Sequence, residues 1–297
     1  MINRLVSCAK GVIATVVLVA NVIVLTVSMV PFALIKLLLP FPAVRRPVDR
    51  ALNGIADAWV MINGWWIALM QKVDWRVEGL ETLNPRGWYL VSSNHQSWVD
   101  ILVLQKVFLR RIPMLKFFLK RELIYVPVIG FAWWALDFPF MRRGSGRSGK
   151  TDLATTRKAC ERFKLIPTSV INFVEGTRFS VEKKRKQNSP FDHLLKPKVG
   201  GLAIALATMG EQFEALLDVT IAYPQSVPTF WDLLSGRLSE VVVHVQQREI
   251  PRELIDGDYE RDAAFRGRIQ AWVQGIWQEK DARLQALLDT PRAGSAR

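Results

Sequence analysis

Polarity is distributed unevenly along the chain. From Gly11 to Ile35 there is no charged residue, and Lys10 and Lys36 bound the run. A bilayer-spanning helix needs about 20 such residues, whereas the apolar stretch of a secretory signal is only ~7–15 long. No small-x-small cleavage site closes the run, which ends at Lys36 and Pro40. A retained membrane anchor is therefore expected. Pro40, Pro42 and Pro47 mark a break. From about Val48 to Lys72, Leu52, Ile55, Trp59, Ile62, Trp66 and Leu69 recur at three and four, which makes one face of a second helix. Trp59, Trp65 and Trp66 suit a bilayer interface, because indole sets a polar N–H beside an apolar ring. The same face also fits a helix packed on a domain.

From Val73 the pattern changes to short strands alternating with helices. Trp75–Gly79 and Trp88–Asn94 read as strands, with an Asn84-Pro85 turn between them. A helix is predicted from about Trp98 to Arg110, a short strand over Phe138–Met141 and a helix over Thr151–Lys164. Ser169–Val174 is β-rich, Val181–Ser189 a polar loop and Gly200–Met209 a helix. Leu217–Tyr223 is a buried strand and Glu240–Gln247 an edge-like one. An amphipathic helix over roughly Tyr259–Leu288 precedes a polar tail from about 289. Such alternation predicts an α/β domain over 73–297, with a central mixed sheet flanked by helices. The two-helix anchor segment occupies 1–72.

Charge adds a location. The net charge is +13, and between Arg142 and Lys198 fifteen Lys and Arg face five acidic residues. A solvated basic face is the ordinary explanation of such a run. Anionic lipid headgroups and nucleic acid are the sharper ones. The apolar N-terminal run favours lipid, and no nucleic-acid-binding motif accompanies the charge. Lys36, Arg45, Arg46 and Arg50 follow the hydrophobic run and point the body of the chain to the cytoplasm. Cys8 and Cys160 suggest neither a disulfide framework nor a metal cluster.

Of the three histidines, His193 and His244 carry no mark of a base. His95 ends an apolar strand in Asn94-His95-Gln96-Ser97-Trp98-Val99-Asp100, where the chain turns toward a helix. Asp100 can fold back to the imidazole. A carboxylate on one ring nitrogen sets the tautomer and leaves the other nitrogen to take a proton. That is the base-and-orienter half of a catalytic triad. At this spacing alone, a structural pair is the commoner outcome. A second cluster, Phe173-Val174-Glu175-Gly176-Thr177-Arg178, offers a tight turn, backbone N–H groups and a guanidinium suited to phosphate. A plain strand-to-loop turn with a surface arginine is its alternative.

Together these strings resemble the glycerolipid acyltransferase family that includes 1-acylglycerol-3-phosphate acyltransferase. The family's His, four residues, Asp block is matched at His95 and Asp100, and its Glu-Gly-Thr-Arg block at Glu175, Gly176, Thr177 and Arg178. Between them the family has a Lys-rich, Pro-Gly segment ending in a hydrophobic-Arg pair. Here that region reads Lys120-Arg121-Glu122-Leu123, Pro127-Val128-Ile129-Gly130 and Phe140-Met141-Arg142. The final block corresponds to Val219-Thr220-Ile221-Ala222-Tyr223-Pro224. It departs from the Val-Pro-rich form and looks more like the lysocardiolipin and lysophospholipid branch.

The resemblance implies a membrane-bound enzyme that moves a fatty acyl group from acyl-CoA or acyl carrier protein to a lysophospholipid hydroxyl, first of all that of lysophosphatidate to give phosphatidate. The alternatives are another acceptor of lysophosphatidylglycerol or lysocardiolipin type, or a non-catalytic lipid-binding protein of the same fold. It implies His95 as base and Asp100 as orienter, with no acyl-enzyme on Ser97 or Cys160, no metal and no cofactor. Arg178 and Arg142 would hold the acceptor phosphate, in the turn shaped by Glu175, Gly176 and Thr177. Lys198 and Gly200-Gly201 would add anion binding. An acyl channel would involve Phe131-Ala132-Trp133-Trp134, a stretch equally plausible as core. Membrane lipids are the expected partners, nucleic acid is not, and the oligomeric state is open.

Overall fold

The computed structural model describes residues 2–141, 160–255, 257–259 and 261–289. Two long helices come first, α1 (Ile2–Leu38) and α2 (Pro42–Met70). The second starts earlier than its apolar periodicity suggests, because Pro42 sits at the start, where a missing N–H costs nothing. Eight strands follow: β1 (Asp74–Glu78), β2 (Tyr89–Ser93), β3 (Leu115–Phe117), β4 (Leu119–Lys120), β5 (Phe140–Met141), β6 (Ser169–Phe173), β7 (Ala215–Ala222) and β8 (Glu240–Arg248). The other helices are α3 (Val99–Phe108), α4 (Ile129–Ala135), α5 (Val181–Gln187), α6 (Gly200–Met209), α7 (Phe230–Leu234) and α8 (Ala263–Asp289).

Six strands form one sheet in the order β1-β8-β7-β2-β6-β3, and β4 pairs with β5 separately. All pairings in the large sheet are parallel except β7 with β8. The sheet is therefore mixed, as expected. β2 and β7 are buried along their whole length, the pattern of strands covered on both faces. Tyr89, Val91, Leu217, Val219 and Ile221 join a core with α1–α4. Leu90, Val170 and Leu216 join a second core with α6 and α8 on the other face. One buried ionic contact pins α8 to the sheet: the Lys280 ammonium reaches the Asp218 carboxylate and the Val219 carbonyl of β7.

Two expectations are corrected. β8 is not an edge strand, since β1 pairs with it on one side and β7 on the other. Residues Val181–Ser189 are not a loop, for α5 occupies most of them. Apolar periodicity missed that helix because its ends hold it. The Ser180 side chain accepts from Lys183 N, Asn188 closes the other end at φ +46°, and Lys184, Arg185 and Lys186 lie in the last turn, where cations are favoured. The predicted helix over Thr151–Lys164 is described only from Cys160, and the predicted tail beyond Asp289 lies outside the described residues.

The N-terminal helices pack on the body of the molecule. Ala14, Met29 and Ala33 of α1 and Leu52, Ala56 and Trp66 of α2 share a core with the sheet. Near the start of α1, Lys10 Nζ donates to Met70 O, and Gly11 lies so close to the Trp231 ring of α7 that a Cβ there would stand 2.5 Å from it. Near its end, Lys36 forms an ion pair with Asp49 at 2.7 Å, pairs with Asp137 and donates to Ala135 O. Arg45 joins at Asp137, 3.1 Å away. The outward face of α1 keeps Val12, Val16, Val19, Val24, Val27 and Leu34 exposed.

Candidate active site

Parallel β6, β2 and β7 lie side by side; β2 and β6 end together at Ser93 and Phe173, and β7, level with them at Val219, runs three residues farther to Ala222. Their carboxyl ends therefore deliver three successive segments to one edge, the place where open α/β sheets bind ligands. β2 delivers His95, β6 delivers Glu175–Arg178 and β7 delivers Tyr223.

The predicted pair is formed. His95 Nδ1 lies 2.9 Å from Asp100 Oδ2, with the histidine side chain 12% exposed and the aspartate 1%. With Nδ1 held by the carboxylate, Nε2 is the nitrogen that can take a proton. Asp100 sits in the first turn of α3 and folds back. Its Oδ2 also accepts Gln96 N at 2.6 Å and Ser97 N at 2.8 Å, while its Oδ1 accepts the Tyr223 hydroxyl at 2.6 Å. The imidazole stacks on Phe173, centroids 4.0 Å apart and 15° from parallel.

The second cluster fastens the first. Glu175 is fully buried, its Oε1 accepting His95 N and its Oε2 accepting Leu195 N, both at 2.9 Å. Phe179 N donates to His95 O at 2.7 Å, so the β6 loop holds both backbone groups of His95. Burial pushes the Glu175 carboxyl up to about 7, opposed by those two N–H bonds and aided by the charge of Asp100. Glu175, expected among the substrate-binding residues, is thus a brace whose oxygens are taken by backbone. Gly176 turns the chain at φ +69°, where a side chain is strained, and Lys198 lies over it, its Cδ 3.2 Å from where a Cβ would stand. The Thr177 hydroxyl accepts from Lys183 Nζ at 2.9 Å. Arg178 is exposed, its guanidinium 5.1 Å from the Trp98 ring centroid, within cation–π reach. Arg142 lies outside the described residues.

Neither alternative nucleophile is available. The Ser97 hydroxyl donates to Pro228 O and accepts from Val99 N in a buried position. Cys160 is buried, and its thiol is pushed up to about 12 by desolvation.

An apolar cavity of about 50 Å³ lies between α1, α2, α4 and Phe138. Ala132 and Trp133 line it, together with Val22, Met29, Ala56 and Trp59. Of the other two residues in the predicted channel stretch, Trp134 is exposed and Phe131 packs against the core. From the cavity a row of rings runs toward the histidine: Phe138 on Phe117 (6.3 Å), Phe117 on Phe173 (6.0 Å), Phe173 on His95.

Sequence reasoning missed several members of this arrangement. Phe173 and Trp98 stand inside the two candidate strings with no contact assigned to either, and Lys183 is one of the fifteen cations between Arg142 and Lys198. Asn94 bonds through its side chain to both backbone groups of Ile221. Its place immediately before His95 was the one available signal.

A family model described as "Acyltransferase" matches residues 74–223. The chain is similar to 1-acyl-sn-glycerol-3-phosphate acyltransferase 3 of Arabidopsis thaliana, 28% identical over an alignment of 292 positions that covers 90% of this chain and 71% of that protein. It is 25% identical to lysocardiolipin acyltransferase 1 of Danio rerio over an alignment of 252 positions, which covers 80% of this chain and 62% of that one. Among solved structures, the 1-acyl-sn-glycerophosphate acyltransferase PlsC of Thermotoga maritima aligns with a TM-score of 0.52 at 19% identity, covering 94% of this chain and 98% of its own.

Proposed function

The chain belongs to the acyltransferase family, and on that premise we propose that it moves a fatty acyl group from a thioester donor to the free hydroxyl of a lysophospholipid. Lysophosphatidate, giving phosphatidate, is the favoured acceptor, and acyl-CoA or acyl carrier protein the donor. The observation that carries the reading is the 2.9 Å contact between His95 Nδ1 and Asp100 Oδ2 at the end of β2. His95 Nε2 takes the proton of the acceptor hydroxyl, and that oxygen attacks the thioester carbonyl. The tetrahedral intermediate collapses with cleavage of the C–S bond. The imidazolium returns its proton to the departing sulfur, leaving an ester, a free thiol and neutral His95. Arg178 and Lys198 hold the acceptor phosphate beside the Gly176 turn, as charge-assisted donors to an anion. The acyl chain enters between α1, α2 and α4, at the apolar cavity of about 50 Å³, which has to widen to take it.

A second acceptor reading, a lysophosphatidylglycerol or lysocardiolipin type, is favoured by the β7 ending Ile221-Ala222-Tyr223-Pro224 and by the lysocardiolipin acyltransferase among the relatives.

The membrane reading takes its form from α1, which is long and apolar enough to cross a bilayer. Lys10 and Lys36, both tied to the body of the molecule, are about 39 Å apart at ~1.5 Å per residue, more than the roughly 30 Å of a hydrocarbon core. A helix held to one body at both ends of its apolar stretch is poorly placed to span. We propose instead that α1 lies flat, with its exposed valine and leucine face in one leaflet and the catalytic edge at the lipid surface.

The test is a thiol-release assay on purified protein in detergent or bilayers, with lysophosphatidate and other lysolipids against several acyl chain lengths. His95→Ala abolishes release while the fold survives. Activity near wild type in that variant overturns the mechanism. Release with another lysolipid but not lysophosphatidate selects the second acceptor, and indifference to chain length removes the acyl chain from the cavity.

A further inference from the structure

We infer that Tyr223 is a positioning residue for acyl transfer, its hydroxyl holding Asp100 Oδ1 and so setting how strongly that carboxylate binds the imidazole of His95. The inference rests on the proposed role of His95 as base. Tyr223 is 3% exposed and donates to Asp100 Oδ1 at 2.6 Å, while His95 faces Oδ2. Its place is set by the residue before the histidine. Asn94 Nδ2 donates to Ile221 O at 2.9 Å and Asn94 Oδ1 accepts Ile221 N at 2.8 Å. Two residues beyond that clamp, the chain presents Tyr223 to the carboxylate. The loop that carries the base therefore also locates the group behind its orienter.

The consequence is electrostatic as well as geometric. A donor on Oδ1 draws negative charge toward itself and makes Oδ2 a weaker acceptor for the imidazole N–H. The same bond stops the carboxylate from turning about its terminal torsion, which is otherwise soft. Burial, with the adjacent Asp100 charge, pushes the Tyr223 hydroxyl well above its ordinary range, so it remains a donor at working pH. Glu175 on the β6 loop also acts on Asp100, and Lys280 of α8 acts on Glu175. Neither is altered in the test.

The experiment measures kcat, KM for both substrates, melting temperature and the pH profile of Tyr223→Phe. The expected result is a folded protein with unchanged KM and a kcat about tenfold lower, because a carboxylate free to turn no longer holds the imidazole in line and this loss outweighs the stronger Oδ2 acceptor. The acidic limb moves up by about half to one pH unit. In an Asp100→Asn background the same change moves no limb. Should the Phe variant not fold, 3-fluorotyrosine placed at position 223 keeps the shape and strengthens the donor, and the limb then moves down. A folded Tyr223→Phe protein with unaltered kcat and limb, or with a changed KM alone, overturns the inference, as does an unmoved limb in the fluorinated protein. Failure of the underlying reading looks different: the wild type releases no thiol, or His95→Ala remains active.

Discussion

Asp100→Asn separates the charge of the orienter from its shape. Asp100 Oδ2 accepts Gln96 N, Ser97 N and His95 Nδ1, and Oδ1 accepts the Tyr223 hydroxyl. An asparagine can place its carbonyl oxygen where Oδ2 stands, because two backbone N–H groups demand an acceptor there. Its amide then faces Tyr223, whose hydroxyl oxygen accepts. The imidazole keeps its tautomer and loses only the negative charge beside it. A unit charge at roughly 4 Å, with an effective dielectric near 20, is worth about 4 kcal/mol to the imidazolium. At ~1.4 kcal/mol per power of ten, kcat falls about a thousandfold. Asp100→Ala instead leaves two backbone N–H groups and the tyrosine hydroxyl without an acceptor. At about 1–3 kcal/mol each, the fold loses at least ~3 kcal/mol. Thiol release and thermal unfolding of both variants, side by side, are the assay. An asparagine variant within about tenfold of wild type, or one less stable than the alanine variant, refutes the reasoning.

Two further outcomes follow from the same geometry. In Glu175→Gln one amide N–H is forced against a backbone N–H of His95 or Leu195, which costs about 1–3 kcal/mol of stability. Because burial raises the folded-state value of Glu175 to about 7 from 4.5, the folded protein binds the proton more tightly, and stability declines as pH rises through that window. Unfolding measured from pH 4 to 8 shows the decline in wild type and not in Glu175→Gln; an equal slope in both removes Glu175 as its source. For the membrane seating, Cys8 is exposed near the start of α1 and Cys160 is buried, so the native protein offers one reactive thiol among its two cysteines. An impermeant maleimide added to sealed vesicles labels Cys8 from the side that holds the sheet domain. Labelling from the opposite side means that α1 spans.

Much of this was legible in the residues themselves. Local pattern was enough for α1, most of α2, β2, β6, β7, α6 and α8, because long apolar runs and helical periodicity survive any tertiary context. It failed where pairing or capping decides. β3 and β4 are three and two residues long and exist only because β6 and β5 receive them. α5 carries no apolar stripe and is held by its caps. β8 reads as an edge strand because its half-polar end gives no sign of β1, more than 160 residues earlier in the chain.

The chemistry divides in the same way. The types and spacing of His95 and Asp100 are local, so sequence could name a candidate base and its candidate orienter. It could also name Glu-Gly-Thr-Arg as a second block, but not that Glu175 faces inward to hold the backbone of His95. Nor could it bring Phe173 under the imidazole or Tyr223 to the far oxygen of Asp100. Those contacts join residues 78 and 123 positions apart, and the parallel register of β6, β2 and β7 is what brings the segments after them to one edge. Sequence determined which groups are present and where each strand stops. Only the sheet decided which stops are neighbours, since strand order is set by long-range burial and backbone pairing that no local window contains.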